Sequence, residues 1–133
     1  MRTEFKTTWW SIDLSESWQG RNDPECSTFE SELRYGALQL SSAWNMERDA
    51  TDVDLMYFLR QFVPVGMPYQ PIQVGEFRGL YAELTFEGSF WRYWFLRDGN
   101  LAVLATYNCN EGHQHQEDEA VDEMLATLRR VAG

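Results

Sequence analysis

The chain has 133 residues, enough for one hydrophobic core of ordinary size, and a single domain over 1–133 is expected. Hydrophobic residues make up 44%, charged residues 24% and aromatic residues 15%, which favours a packed sheet over a disordered chain. The formal charge is −10, with Lys6 the single lysine; such a surface repels phosphate backbones and anionic headgroups, so neither nucleic acid nor membrane is expected as a partner.

The N-terminal "MRTEFKTTWWSIDL" lacks the apolar run of a signal peptide, and no stretch approaches the roughly 18 apolar residues of a membrane span, so a cytoplasmic location is expected. Cys26 and Cys109 are too few for a disulfide scaffold and form no Cys-x-x-Cys pair. They read as reduced, structural thiols.

In "WWSIDLSESW", Trp10, Ile12 and Leu14 alternate with Ser11 and Asp13, which predicts the opening strand. A turn-rich loop, "GRNDPE", leads to two more strands in "CSTFE" and "GALQLSSAW". The second of these sets Leu38, Leu40 and Trp44 on one side. Ala37, Ser41 and Ala43, on the other, are small enough for a helix or backbone to approach closely.

Thr51 can cap a helix whose first turn holds Asp52 and Asp54 and whose apolar stripe is Leu55, Phe58, Leu59 and Phe62. Pro64 and Gly66 stop it. Residues 64–72 read as a loop, leading to a short strand around Ile72 to Phe77. From Gly79 the pattern is a meander of three strands, with turns at Glu87-Gly88 and Asp98-Gly99. The closing "EDEAVDEMLATLRRVA" predicts a helix over 117–132: Val121, Met124, Leu125, Leu128 and Val131 keep helical spacing, acids fill the first turn, and Arg129 and Arg130 the last.

A two-residue loop at Glu87-Gly88 fixes the hairpin register: Leu84 opposes Trp91, Glu83 Arg92, Ala82 Tyr93, and Tyr81 Trp94. One face then carries Leu80, Ala82, Leu84, Trp91, Tyr93, Phe95, Ala102 and Leu104, and is assigned to the closing helix. The other carries Tyr81, Glu83, Phe90, Arg92, Trp94 and Tyr107, with Val103 and Ala105. An acid facing a base among aromatic rings needs polar partners, so this face is expected to be half solvated or part of a cleft. These six residues are the candidate interaction face.

Catalytic signatures are missing: the chain has no Gly-rich phosphate loop, no Gly-x-Ser-x-Gly and no His-Glu-x-x-His. "NCNEGHQHQEDE" brings Cys109, His113 and His115 near carboxylates, yet His-x-His on a polar loop is loose spacing for a metal. No metal site, no cofactor and no catalytic residue is expected.

Taken together, the opening "WSIDLSESW", the helix start "TDVDL", the meander and the closing "VDEMLATLRRV" resemble the Mog1/PsbP-like proteins, with Ser15 where that group has proline. The resemblance covers nearly the whole chain. It implies an α+β fold in which a central antiparallel sheet of about six strands is flanked by helices, an α-β-α sandwich. It also implies a non-enzymatic role in binding or assembly, as in a nuclear transport factor, photosystem subunits and many small bacterial proteins. No site residue carries over. The expected function is a small acidic protein that binds a protein partner, as an inhibitor or immunity protein of a basic protein would. The alternative is a small-ligand binder or enzyme using an aromatic cleft around Tyr81, Glu83, Arg92 and Trp94.

Overall fold

A computed structural model describes residues 3–44 and 47–131. Ala132, the end of the expected closing helix, and the side chains of Ala43 and Trp44 lie outside what is described. In chain order the elements are β1 (Thr3–Lys6), β2 (Trp10–Leu14), β3 (Trp18–Asn22), β4 (Ser27–Ser31), β5 (Gly36–Trp44), α1 (Asp52–Phe62) and β6 (Gln70–Val74). There follow β7 (Phe77–Phe86), β8 (Ser89–Asp98), β9 (Leu101–Asn110), α2 (Asp118–Leu125) and β10 (Arg129–Arg130).

Seven strands form one sheet in the order β3-β4-β5-β9-β8-β7-β6, and β1-β2-β10 form a second. Every pairing is antiparallel. The expected α+β sandwich of about six strands between helices is thereby corrected to a β-dominated fold. The opening strand β2 does not join the main sheet; it pairs with β1 and β10 and lies over the sheet where a helical layer was expected. β3 arises partly from residues read as a loop, and the strand expected around Ile72 to Phe77 is broken by a turn at Gly75 (φ +56°) into the end of β6 and the start of β7.

The closing helix is half its expected length. Thr127 ends it: its hydroxyl donates to the Met124 carbonyl at 2.7 Å and accepts from the Asp13 N–H at 2.8 Å, which ties the chain to β2. Arg129 and Arg130, expected in a last helical turn, pair instead with Ser11 and Trp10, and the Val131 N–H reaches the Trp9 carbonyl at 2.9 Å.

The meander has the expected register, with Glu83 opposite Arg92 and Leu84 opposite Trp91. Glu87 and Gly88 have φ of +50° and +82°, the two left-handed residues that a type I′ turn requires. At the next hairpin Asp98 pairs with Leu101, so the loop is Gly99-Asn100, with φ +56° at Gly99. Moving a loop by one residue shifts pairing by two, which leaves each side chain on its expected face.

The cover of the faces is the reverse of the expectation. α1 lies on the face of Leu80, Ala82, Tyr93, Phe95 and Ala102, burying Leu55 and Leu59 there. Its capping box is complete: the Asp54 carboxylate accepts from the Thr51 N–H at 2.8 Å and the Thr51 hydroxyl accepts from the Asp54 N–H at 3.4 Å. α2 and the small sheet lie on the other face, where Trp10, Ile12, Leu14, Val121, Met124, Leu125 and Leu128 meet Leu38, Leu40, Trp94, Val103 and Tyr107. Both helices are amphipathic, so periodicity alone did not assign them. Burial of this kind stabilises by about 1.5–3 kcal/mol per large apolar side chain.

The candidate interaction face and its polar network

The fold brings all six candidate residues to one sheet face, and five of them are buried: Tyr81, Phe90, Arg92, Trp94 and Tyr107. Glu83 is exposed. The face is interior rather than half solvated, because α2 lies across it.

Arg92 is 7% exposed and sits at the centre. Its Nε donates to the Tyr81 Oη at 2.7 Å, and Tyr81 in turn donates to the Glu83 Oε2 at 2.7 Å. Register opposes Glu83 to Arg92, yet the two communicate through the phenol. The direct acids of Arg92 come from α2: Nη2 donates to Asp122 Oδ1 at 2.7 Å and Nη1 lies 3.4 Å from Asp118 Oδ1. The guanidinium also lies 4.6 Å from the Trp94 ring centre and 5.4 Å from that of Tyr81, within cation-π range. Burial disfavours its charge, but the hydrogen bond to Tyr81 and the charge of Asp122 outweigh that, and its pKa is raised above the ordinary value. Burial, only partly offset by Arg92, raises the Tyr81 phenol well above its usual range.

A second buried polar group stands at the start of α2. Glu117 accepts from the Tyr107 hydroxyl at 2.7 Å, from the Gly36 N–H at 3.0 Å and from the Ser31 hydroxyl. It ties the helix start to β4, β5 and β9. Burial, reinforced by the neighbouring Glu117 carboxylate, pushes the Tyr107 phenol far up. Sequence reasoning missed this carboxylate because Glu117, Asp118 and Glu119 are equivalent acids in one dimension. Asp118 and Asp122 had a faint signal, an i,i+4 spacing flanking the apolar Val121 and Leu125.

The histidines of the polar loop have partners of their own. The His113 ring stacks on Tyr35 at 4.3 Å, and His115 Nδ1 lies 2.7 Å from Asp118 Oδ2. Among the described residues no three metal-capable side chains come together. Both cysteines are free; Cys109 is buried, while Cys26 is partly exposed. No helix among the described residues is long and apolar enough to cross a membrane.

A cavity of about 310 Å³ is lined by Tyr81, Arg92 and Trp94 together with Gln70, Gln73 and Asp122, so this part of the face borders a cleft, the second of the two arrangements expected for it. Its charged groups already engage one another, the arrangement of a clamp that holds α2 to the sheet. Of the eight large apolar side chains exposed among the described residues, six lie between residues 53 and 69: Val53 (79% exposed), Tyr57 (68%), Phe62, Val65 (84%), Met67 and Tyr69; Leu33 and Phe86 lie elsewhere.

The fold therefore defines a β-dominated module with one face closed by a small sheet and a clamped helix. No family model matches the chain, and no curated protein matches it. Among solved structures it is similar to a crystal structure from Bacteroides thetaiotaomicron, with a TM-score of 0.69 and 17% identity over 93% of this chain. The chain spans 46% of the length of that protein, and the likeness is one of fold.

Proposed function

We propose that this protein is a non-catalytic binding module that docks a basic protein partner on the outer side of α1 and the segment after it. One observation carries the reading: of the eight large apolar side chains exposed among the described residues, six fall between residues 53 and 69. A concentration of exposed apolar side chains in one segment is the mark of an interaction site, and tyrosine is among the side chains that dominate such sites. The −10 charge supports a partner of opposite sign through steering and choice of partner.

The test is co-purification from the native host with wild-type protein and with the double variant Tyr57→Ala, Val65→Ser. The expected result is a stoichiometric basic protein that is lost with the variant and released by salt. Equal retention by the variant, or a partner that is acidic, would overturn the reading.

A further inference from the structure

β7 is ten residues long, and its two neighbours cover it unequally. β8 pairs with it from Arg78 to Phe86, whereas β6 pairs only with Phe77 to Tyr81. From Ala82 to Phe86 the outer side of β7 has no strand beside it among the described residues.

The hairpin geometry tells which main-chain groups are left over. Phe86 and Ser89 close the two-residue loop and exchange both of their hydrogen bonds, so Leu84 with Trp91 and Ala82 with Tyr93 do the same. Glu83 and Thr85 then turn their N–H and C=O groups away from β8. Among the described residues neither N–H has an acceptor, and both residues are exposed. The chain before β6 does not extend the pairing: the residue that would stand opposite Glu83 is Pro68, which has no N–H to donate to the Glu83 carbonyl.

We propose that this edge receives an extended segment of a partner protein as an added strand, with basic and apolar side chains alternating. The proposal deepens the binding reading above and rests on it. A strand in the line of β6 would bond to Glu83 and Thr85, satisfying the free main-chain groups. Its residue opposite Leu84 would meet Leu84 and Phe86, the latter 61% exposed. Its residue opposite Glu83 would lie beside a carboxylate whose hydrogen bond comes from the Tyr81 hydroxyl. A cavity of about 250 Å³ between Pro68-Tyr69 and Ala82-Glu83 leaves room for a side chain at this corner.

Charge decides the chemistry of the occupant. Natural edges are commonly guarded by charge or proline. β6 carries Pro71, while the free part of β7 carries Glu83, a guard that turns away acidic strands and favours basic ones.

The probe is an acetylated, amidated Lys-Val-Lys-Val-Lys peptide titrated into the whole protein, with Glu-Val-Glu-Val-Glu as control, followed by backbone amide NMR and hydrogen exchange. With the basic peptide, the Glu83 and Thr85 amide protons should move downfield and exchange about tenfold more slowly. The acidic peptide should leave them unchanged. Thr85→Pro, which removes an outward donor and no bond to β8, should abolish the response, and Thr85→Val should retain it. Glu83→Lys keeps the strand and should reverse the preference between the two peptides. Slow exchange of both amides in the free protein, equal response to the two peptides, or shifts confined to residues 53–69 would overturn the edge proposal. The protein-binding reading would survive those outcomes, since it is read separately through Tyr57 and Val65.

Discussion

Replacing Glu117 tests how the start of α2 is held. Glu117→Ala leaves the Tyr107 hydroxyl and the Gly36 N–H without their acceptor inside the protein. Ser31 is less affected, since it is partly exposed and its hydroxyl can donate to water instead. An orphaned buried donor costs about 1–3 kcal/mol, and the vacated volume adds to that, so a loss of about 3–5 kcal/mol is expected. Glu117→Gln should cost roughly 1 kcal/mol or less: its carbonyl oxygen can still accept from Tyr107 and Gly36, and its amide can donate to a rotated Ser31 hydroxyl. Urea denaturation measures both. With an m-value of about 2 kcal/mol/M, the alanine variant should lower the midpoint by roughly 2 M, and the glutamine variant by about a quarter of that. The decisive step is Tyr107→Phe in the alanine background, which removes the stranded hydroxyl and should restore about 1 kcal/mol. If Tyr107→Phe destabilises equally with and without Glu117, or if glutamine costs as much as alanine, the buried-acceptor argument is wrong.

Arg92→Met should cost only about 1–2 kcal/mol by thermal or urea unfolding, because each partner keeps another outlet: Tyr81 has Glu83, Asp118 has His115, and Asp122 is 57% exposed. Arg92→Ala, which also removes packing on Trp94, should cost more; equal losses would contradict the clamp geometry. Tyr81 and Tyr107 have raised folded pKa values, so their contribution is fully present below the ordinary phenol value of about 10 and is lost as pH rises above it. Tyrosinate absorbance from these two should appear only with unfolding, and reversible titration of all six tyrosines near that pH would refute it. Cys26, partly exposed, should react with a thiol reagent in the native protein. Cys109, whose thiol is pushed up by burial, should react only after denaturation; mass spectrometry of the labelled peptides distinguishes the two.

Local chemistry made the meander and the middle helix legible. The Glu87-Gly88 turn joins strands that touch each other directly, so one loop length sets the β7–β8 register and the face of every side chain on those strands. Thr51 and Asp54 mark the start of α1 because a capping box closes within four residues. The rest depended on contacts distant in sequence. β1 and β3, "TEFK" and "WQGRN", are short and polar, and only pairing with β2 and β4 makes them strands. Residues 126–131 carry helical periodicity, and a bond from Asp13, far upstream, overrides it. Which helix covers which face is settled only when the elements pack. Likewise the candidate face reads as half solvated or part of a cleft, and only the placement of α2 brings Asp118 and Asp122 to Arg92. A free main-chain edge at Glu83 and Thr85 has no sequence signature, because it arises from the unequal lengths of β6 and β7, a property of the assembled sheet rather than of either strand.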